Sequence, residues 1–301
     1  MKQRAHGSPI EVDGLSRSFG DLKAVDDVSF TVPGGQMTGF VGGNGAGKTT
    51  TMRMIMGLLA THAGEVRWNG APITTASRRR IGYMPEERGL YPKQKTLDQL
   101  VYLGELSGMT AAAAKTSVME HLERFGLADR ASERVEKLSL GNQQRVQIIA
   151  ALMTSPDALI LDEPFSGLDP QAVDAMADLL REHTARGVPV LFSSHQLDLV
   201  ERLCDRLVVL SKGRVVAAGA VDELRGAGPE RYRITVGGDA GWMRDQPGIH
   251  VHDVDGSTAL LEFTDPAARQ RLLRAAVDRG DVLDFARQVP ALSEIYREVT
   301  A

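Results

Sequence analysis

Along the first two hundred residues, short apolar runs alternate with stretches of helical period. Ile10 to Leu15 and Ala24 to Val32 read as strands, closed by the turn Pro33-Gly34-Gly35. Met37 to Val41 is an apolar strand running into a glycine-rich loop, and the pattern turns helical from Lys48 to Leu59. Glu65 to Gly70 reads as a second strand and turn, and Ile81 to Met84 as a further short strand. From Thr96 to about Lys137 the apolar positions take helical spacing, with Leu97, Leu100, Val101 and Leu103 on one face, which makes a helical insert between strands. A helix from Gly141 to Met153 leads into the apolar strand Ala158 to Leu161. A helix from Pro170, a strand Val188 to Phe192, a helix from Gln196 and a strand Arg206 to Leu210 continue the alternation. Strands alternating with helices predict an α/β fold with a mainly parallel sheet and its function at the C-terminal strand ends.

Punctuation at Gly226-Ala227-Gly228-Pro229 predicts a linker. Beyond it, Tyr232 to Val236, Ile249 to Val254, Ala259 to Phe263 and Val282 to Gln288 read as strands. Pro266 to Arg279 and Leu292 to Val299 read as helices. Residues 8–226 are thus expected to form one domain, with a helical subdomain at about 96–140, and residues 230–301 a small α+β domain. There is no internal repeat and no low-complexity tract.

The loop after the third strand is Gly42-Gly43-Asn44-Gly45-Ala46-Gly47-Lys48-Thr49, followed by Thr50, and it fits GxxxxGK[ST] between a strand and a helix. Glycines there let backbone N–H groups turn inward and cradle phosphates at a helix N-terminus. Lys48 would reach the β and γ phosphates, and the Thr49 hydroxyl would hold Mg²⁺. A second candidate is Asp162-Glu163, two carboxylates closing the apolar strand Ala158 to Leu161. Asp162 would orient Mg²⁺, and Glu163 would polarise the attacking water.

These residues resemble the ATP-binding cassette (ABC) ATPases, P-loop proteins with a mainly parallel core sheet, an antiparallel β subdomain and a helical subdomain. Further motifs of that family follow in order here. Phe19, in RSFG, matches the aromatic that stacks on adenine. Ser139-Leu140-Gly141-Asn142-Gln143-Gln144-Arg145 falls where the LSGGQ signature does, so Ser139, Gly141 and Asn142 would meet the γ-phosphate held by an opposite subunit. Physically, Ser139 is a good N-cap whose helix start favours an anion. Asp169, in Ser166-Gly167-Leu168-Asp169, matches the loop that crosses the dimer interface, and His195, in LFSSHQ, matches the histidine that contacts the γ-phosphate. The resemblance covers about residues 10–225.

Leu140 and Asn142 depart from the usual signature, and Glu86 stands where a glutamine normally contacts Mg²⁺. A carboxylate ~5 Å from a phosphate charge is repelled by roughly 3 kcal/mol at an effective dielectric of 20, and a Mg²⁺ between them reverses the sign. Thr49, Glu86 and Asp162 are therefore the expected metal ligands. The variants EERGLYP and LSLGNQQR, together with the C-terminal domain, resemble the branch serving two-component ABC-2 exporters, including sodium- and drug-extrusion systems.

Composition narrows the function. No stretch approaches the ~18 to 20 apolar residues needed to span a bilayer, and MKQRAHGSPIEVDG has no signal-like apolar core. The resemblance thus implies an ATPase binding ATP and Mg²⁺, paired with a second ATP-binding subunit and attached to the cytoplasmic face of a membrane through a separate permease. Lys and Arg number 35 against 39 Asp and Glu, a net charge of −4, which argues against a nucleic-acid partner. Cys204 is the single cysteine, which excludes an internal disulfide and, in the run Leu199, Val200, Leu203, is expected to be a buried structural thiol. Two other functions fit a cassette: a soluble ABC ATPase acting on ribosome or nucleic acid, and a non-hydrolysing regulatory subunit. One cassette without heptads or a basic excess speaks against the first, and Lys48, Asp162, Glu163 and His195 speak against the second.

Overall fold

In the computed structural model of the chain, residues 7–87, 89–226, 230–288 and 291–300 are described, so the expected linker residues Ala227 to Pro229 and Arg88 of the EERGLYP motif lie outside the description. The chain divides into two compact units, one running to Val221 and the other spanning Asp222–Glu298.

The first unit holds two sheets. Strands β1 (Ile10–Phe19), β2 (Leu22–Val32), β4 (Ala63–Trp68) and β5 (Ala71–Pro72) form an antiparallel sheet in the order β2-β1-β4-β5. Strands β3 (Met37–Gly42), β6 (Ile81–Met84), β7 (Ala158–Leu161), β8 (Val190–Ser194), β9 (Arg206–Ser211) and β10 (Arg214–Ala220) form the second, ordered β10-β9-β3-β8-β7-β6. Every pair in it is parallel except β9–β10. Strands β3, β7 and β8 are buried at every position, which explains their mainly apolar sequences, broken only by Thr38, Ser193 and Ser194. Phe40, Ile160, Leu191 and Val208 from this sheet share one core with Val12, Leu15, Val28 and Trp68 from the other.

The parallel register decides where function can sit. Val41 pairs with Ser194, Leu161 with Phe192, and Met84 with Leu161, so four strands end along one edge. The loops leaving that edge carry the phosphate-loop motif, Glu86, Asp162-Glu163 and His195, the arrangement expected of an open α/β sheet.

Helices α1 (Lys48–Ile55), α2 (Thr75–Arg78), α3 (Thr96–Leu106), α4 (Ala111–Arg124), α5 (Leu140–Leu152), α6 (Pro170–Ala185) and α7 (Leu197–Leu203) complete the α/β pattern, and α8 (Val221–Gly226) begins where the second unit does. Their starts follow capping chemistry: Thr110, Ser139 and Asp169 accept from the N–H of Ala113, Asn142 and Ala172, and Pro170 opens α6. The expected helical insert resolves into α3, α4 and two 3₁₀ turns before α5. Helix α1 stops at Ile55, short of Leu59, because Gly57 takes a left-handed conformation with φ 69°. Strand β10 is an addition, joined to β9 through Lys212-Gly213, both at positive φ as a tight hairpin turn requires. Cys204 is half-buried, and burial pushes its thiol well above its ordinary pKa, in keeping with a packing role.

In the second unit, β11 (Arg231–Val236), β12 (Ile249–Asp255), β13 (Thr258–Phe263) and β14 (Val282–Gln288) form an antiparallel sheet ordered β12-β13-β11-β14. Helices α9 (Pro266–Arg279) and α10 (Leu292–Thr300) are the two read from the sequence. Ile234, Ala259 and Leu261 pack with Leu272 and Ala276 of α9, a core of its own. The fold class is the expected one: an α/β architecture around a mainly parallel sheet, with a small α+β region after it.

Candidate functional site

The loop from β3 to α1 borders a cleft of about 470 Å³ lined by Phe19, Leu22, Ala24, Asn44 to Thr50, Glu86, Asp162 and Glu163. Gly47 is the N-cap of α1 at φ 105°, and an added Cβ would lie 2.6 Å from the Ala24 carbonyl oxygen, so only glycine fits. Gly42 and Gly43 do not line the cleft; instead their carbonyls accept from Lys48 Nζ at 2.7 and 3.3 Å. The lysine is thereby folded back along its own loop, with a charge beside backbone N–H groups suited to phosphate. Phe19, half-exposed at the end of β1, forms an apolar wall with Leu22, and the Arg17 guanidinium stands 5.1 Å over its ring. Such a wall suits a flat base.

The two carboxylates follow directly on the end of β7 and both line the cleft. Asp162 is 1% exposed, its Oδ1 accepting from Ser193 Oγ at 2.5 Å, while Oδ2 is buried without a hydrogen-bond partner. Its negative charge, after burial itself, raises the Tyr83 phenol above its ordinary pKa. Glu163 takes a left-handed backbone at φ 51°, which costs a non-glycine residue about 1–3 kcal/mol. Its N–H donates to Ser193 Oγ at 2.8 Å, and its Oε2 lies 3.0 Å from His195 Nδ1. A carboxylate beside a histidine at the edge of such a cleft has the chemistry to accept a hydrogen bond from water.

Thr49 Oγ1 donates to Glu86 Oε2 at 3.2 Å, and with the orphaned Asp162 Oδ2 they offer the hard oxygen donors that Mg²⁺ takes. Among the described residues no cluster of three or more His, Cys, Asp and Glu side chains could hold a metal. A partial protein ligand set fits Mg²⁺, which keeps waters and phosphate oxygens as its other ligands.

Ser139, Gly141, Asn142 and Asp169 are not brought to this cleft. The Ser139 hydroxyl accepts from the Asn142 N–H, an added Cβ at Gly141 would sit 2.8 Å from the Gly167 carbonyl oxygen, and Asp169 pairs with Arg145 of α5 at 2.5 Å. Beside them Leu140 is 62% exposed, a large apolar side chain in the first turn of α5. His195 reaches the cleft only through Glu163. Sequence reading missed Leu22 as a wall residue and Ser193 as the hydroxyl that bridges both acidic positions. Two serines closing the run Val-Leu-Phe were the available signal for Ser193, since a polar group in a buried strand needs a partner.

Comparison with known proteins agrees with this geometry. Residues 25–166 match the family described as ABC transporter, and residues 219–300 match the family described as ATP-binding protein DrrA1-3-like, C-terminal domain. The chain is 40% identical to the uncharacterized ABC transporter ATP-binding protein YhaQ of Bacillus subtilis, over 96% of this chain and 97% of that one. It is 35% identical to the Nod factor export ATP-binding protein I of Burkholderia lata, over 97% of each chain. The linearmycin resistance ATP-binding protein LnrL of Bacillus subtilis is 31% identical, over 97% of this chain and 98% of that one. A solved ATP-binding subunit of an ABC transporter superposes with a TM-score of 0.68 at 35% identity, covering 72% of this chain and 92% of that one. The chain therefore belongs to the ATP-binding subunits of ABC transporters, the ATPases that power them.

Proposed function

We propose that this subunit drives an exporter whose membrane-spanning permease is a separate chain. The observation that carries the reading is full-length similarity, second unit included, to a Nod factor export protein and a linearmycin resistance protein. Among the described residues no helix is long and apolar enough to cross a membrane, so attachment through a partner fits. Expressed without a permease, the chain should fractionate away from membranes or leave them in an alkaline wash; resistance to that wash in a permease-free background overturns the reading.

In the proposed mechanism the N–H groups of Asn44 to Thr50 and the Lys48 ammonium hold the phosphates, and Phe19 stacks on the base. Thr49, Asp162 and Glu86 hold Mg²⁺, which supplies charge neutralisation on the phosphates. Glu163 orients the in-line water and accepts its proton, and His195 fixes the Glu163 carboxylate. Two subunits pair head to tail, so that Ser139, Gly141 and Asn142 of one face the nucleotide of the other across Asp169. Support comes from their position away from their own chain's cleft and from the exposed Leu140 beside them. Only differential affinity for nucleotide between open and closed pairs can move the permease.

Residues 8–226 form the cassette in this reading, and residues 230–301 an accessory domain with its own core. Truncation after Arg225 should leave ATP affinity within about threefold, since no cleft residue lies beyond it. Loss of binding in a folded truncation, measured by equilibrium titration, contradicts the division.

A further inference from the structure

Helix α5 carries two buried glutamines three residues apart, Gln144 and Gln147, on one face. Each spends its amide on a different catalytic loop. Gln144 Nε2 donates to the carbonyls of Glu163 at 3.1 Å and Pro164 at 3.3 Å. Gln147 Nε2 donates to the carbonyls of Pro85 at 2.5 Å and Glu87 at 3.3 Å, the two residues flanking Glu86. All four partners are acceptors, so the amide nitrogens must face them. The Gln147 Oε1 atom is left buried without a partner, which shows the side chain committed to these loops and not balanced within its own surroundings.

We propose that Gln144 and Gln147 are positioning residues, and that α5 acts as a crossbar setting Glu163 and Glu86 relative to one another. Glu163 needs such a hold because its left-handed backbone is strained, and Ser193 grips only its N–H side. Gln144 grips the carbonyl side of the same residue. Glu86 needs one because a carboxylate beside phosphates helps only where Mg²⁺ lies between, and Gln147 ties the loop on both sides of it. The same helix begins at Ser139, so any movement of the signature region is carried to both carboxylates through two hydrogen-bonded amides.

The inference rests on the roles proposed above for Glu163 and Glu86, so Glu163→Gln and Glu86→Gln are measured beside the test variants. Gln144→Met and Gln147→Met keep length and remove the donors. Two readouts are taken on the full chain: ATP hydrolysis, and equilibrium binding of a fluorescent ATP analogue across a Mg²⁺ titration. Gln144→Met should lower kcat at least about tenfold with KM for ATP within about twofold, because displacing a catalytic group by ~1 Å costs up to about 10²-fold. Gln147→Met should raise the Mg²⁺ concentration for half-maximal nucleotide binding at least about threefold, following Glu86→Gln, with kcat at saturating Mg²⁺ within about threefold. Should either methionine variant fail to fold, Gln144→Leu and Gln147→Leu, neutral and likewise without the donor, are read the same way. General destabilisation would move both readouts together in both variants, and that result, or parent-like values in both, overturns the crossbar. If Glu163→Gln and Glu86→Gln are themselves parent-like, the roles fail and the inference falls with them.

Discussion

Glu163→Gln should turn over ATP at least ~10²-fold more slowly than the parent while binding it as tightly or more tightly. Phosphoryl transfer asks little covalent chemistry of a protein, so loss of the group that positions water and takes its proton falls on turnover, not on affinity. The magnitude is the lower end of what a general base contributes. Glutamine retains the shape and an oxygen that can face His195, now 3.0 Å from the carboxylate, but is a far weaker base. The strained φ of 51° and the Ser193 bond to the backbone N–H are untouched, so local structure survives the exchange. An ATP-bound closed pair should accumulate as hydrolysis stalls. Single-turnover hydrolysis with equilibrium binding makes the measurement; near-parent hydrolysis means that another group is the base.

Which parts of this site could be read from the chain follows from how local their physics is. The phosphate loop is local: glycine spacing, a lysine and a hydroxyl at fixed offsets between an apolar strand and a helix admit few meanings. Strand β7 was equally plain, because four fully buried residues leave no polar position before Asp162. Strand β8 was not. The run Val188 to Phe192 stops at its last apolar residue, yet the strand runs Val190–Ser194, and Ser193 is fully buried because two neighbouring acidic positions satisfy its hydroxyl. Tertiary hydrogen bonding decided that boundary, and no window of sequence contains it. Strand β10 escaped for a different reason: Arg214 to Ala220 is small and half-exposed, with weak alternation. The glutamines of α5 read as ordinary polar helix residues, since Gln147 meets Pro85 from 62 positions away. The left-handed conformation of Glu163 has no sequence signature at all.

Lys48→Ala should instead weaken nucleotide binding itself, and the loss should grow with the number of phosphates. The Lys48 ammonium is shared between the carbonyls of Gly42 and Gly43, both part of its own loop. Phosphate oxygens are stronger acceptors than these, because their negative charge adds Coulomb attraction to the ammonium's hydrogen bond. Losing one such bond costs about 1.5–3 kcal/mol, or roughly 10- to 150-fold in Kd. Two explanations for weakened binding must be separated: lost charge compensation, and a phosphate loop disturbed because Lys48 no longer holds its carbonyls. A disturbed loop loses affinity for every ligand that uses its backbone N–H groups, AMP included. Lost charge compensation spares AMP and adenosine, which lack the β and γ phosphates that the ammonium reaches, and penalises ADP and ATP. Titrating all four ligands against parent and variant distinguishes them, with AMP within about twofold and ATP at least about tenfold weaker as the expected pattern. Equal loss for AMP, ADP and ATP with adenosine spared assigns Lys48 to holding the loop, and ATP affinity within twofold of the parent removes it from the phosphate site.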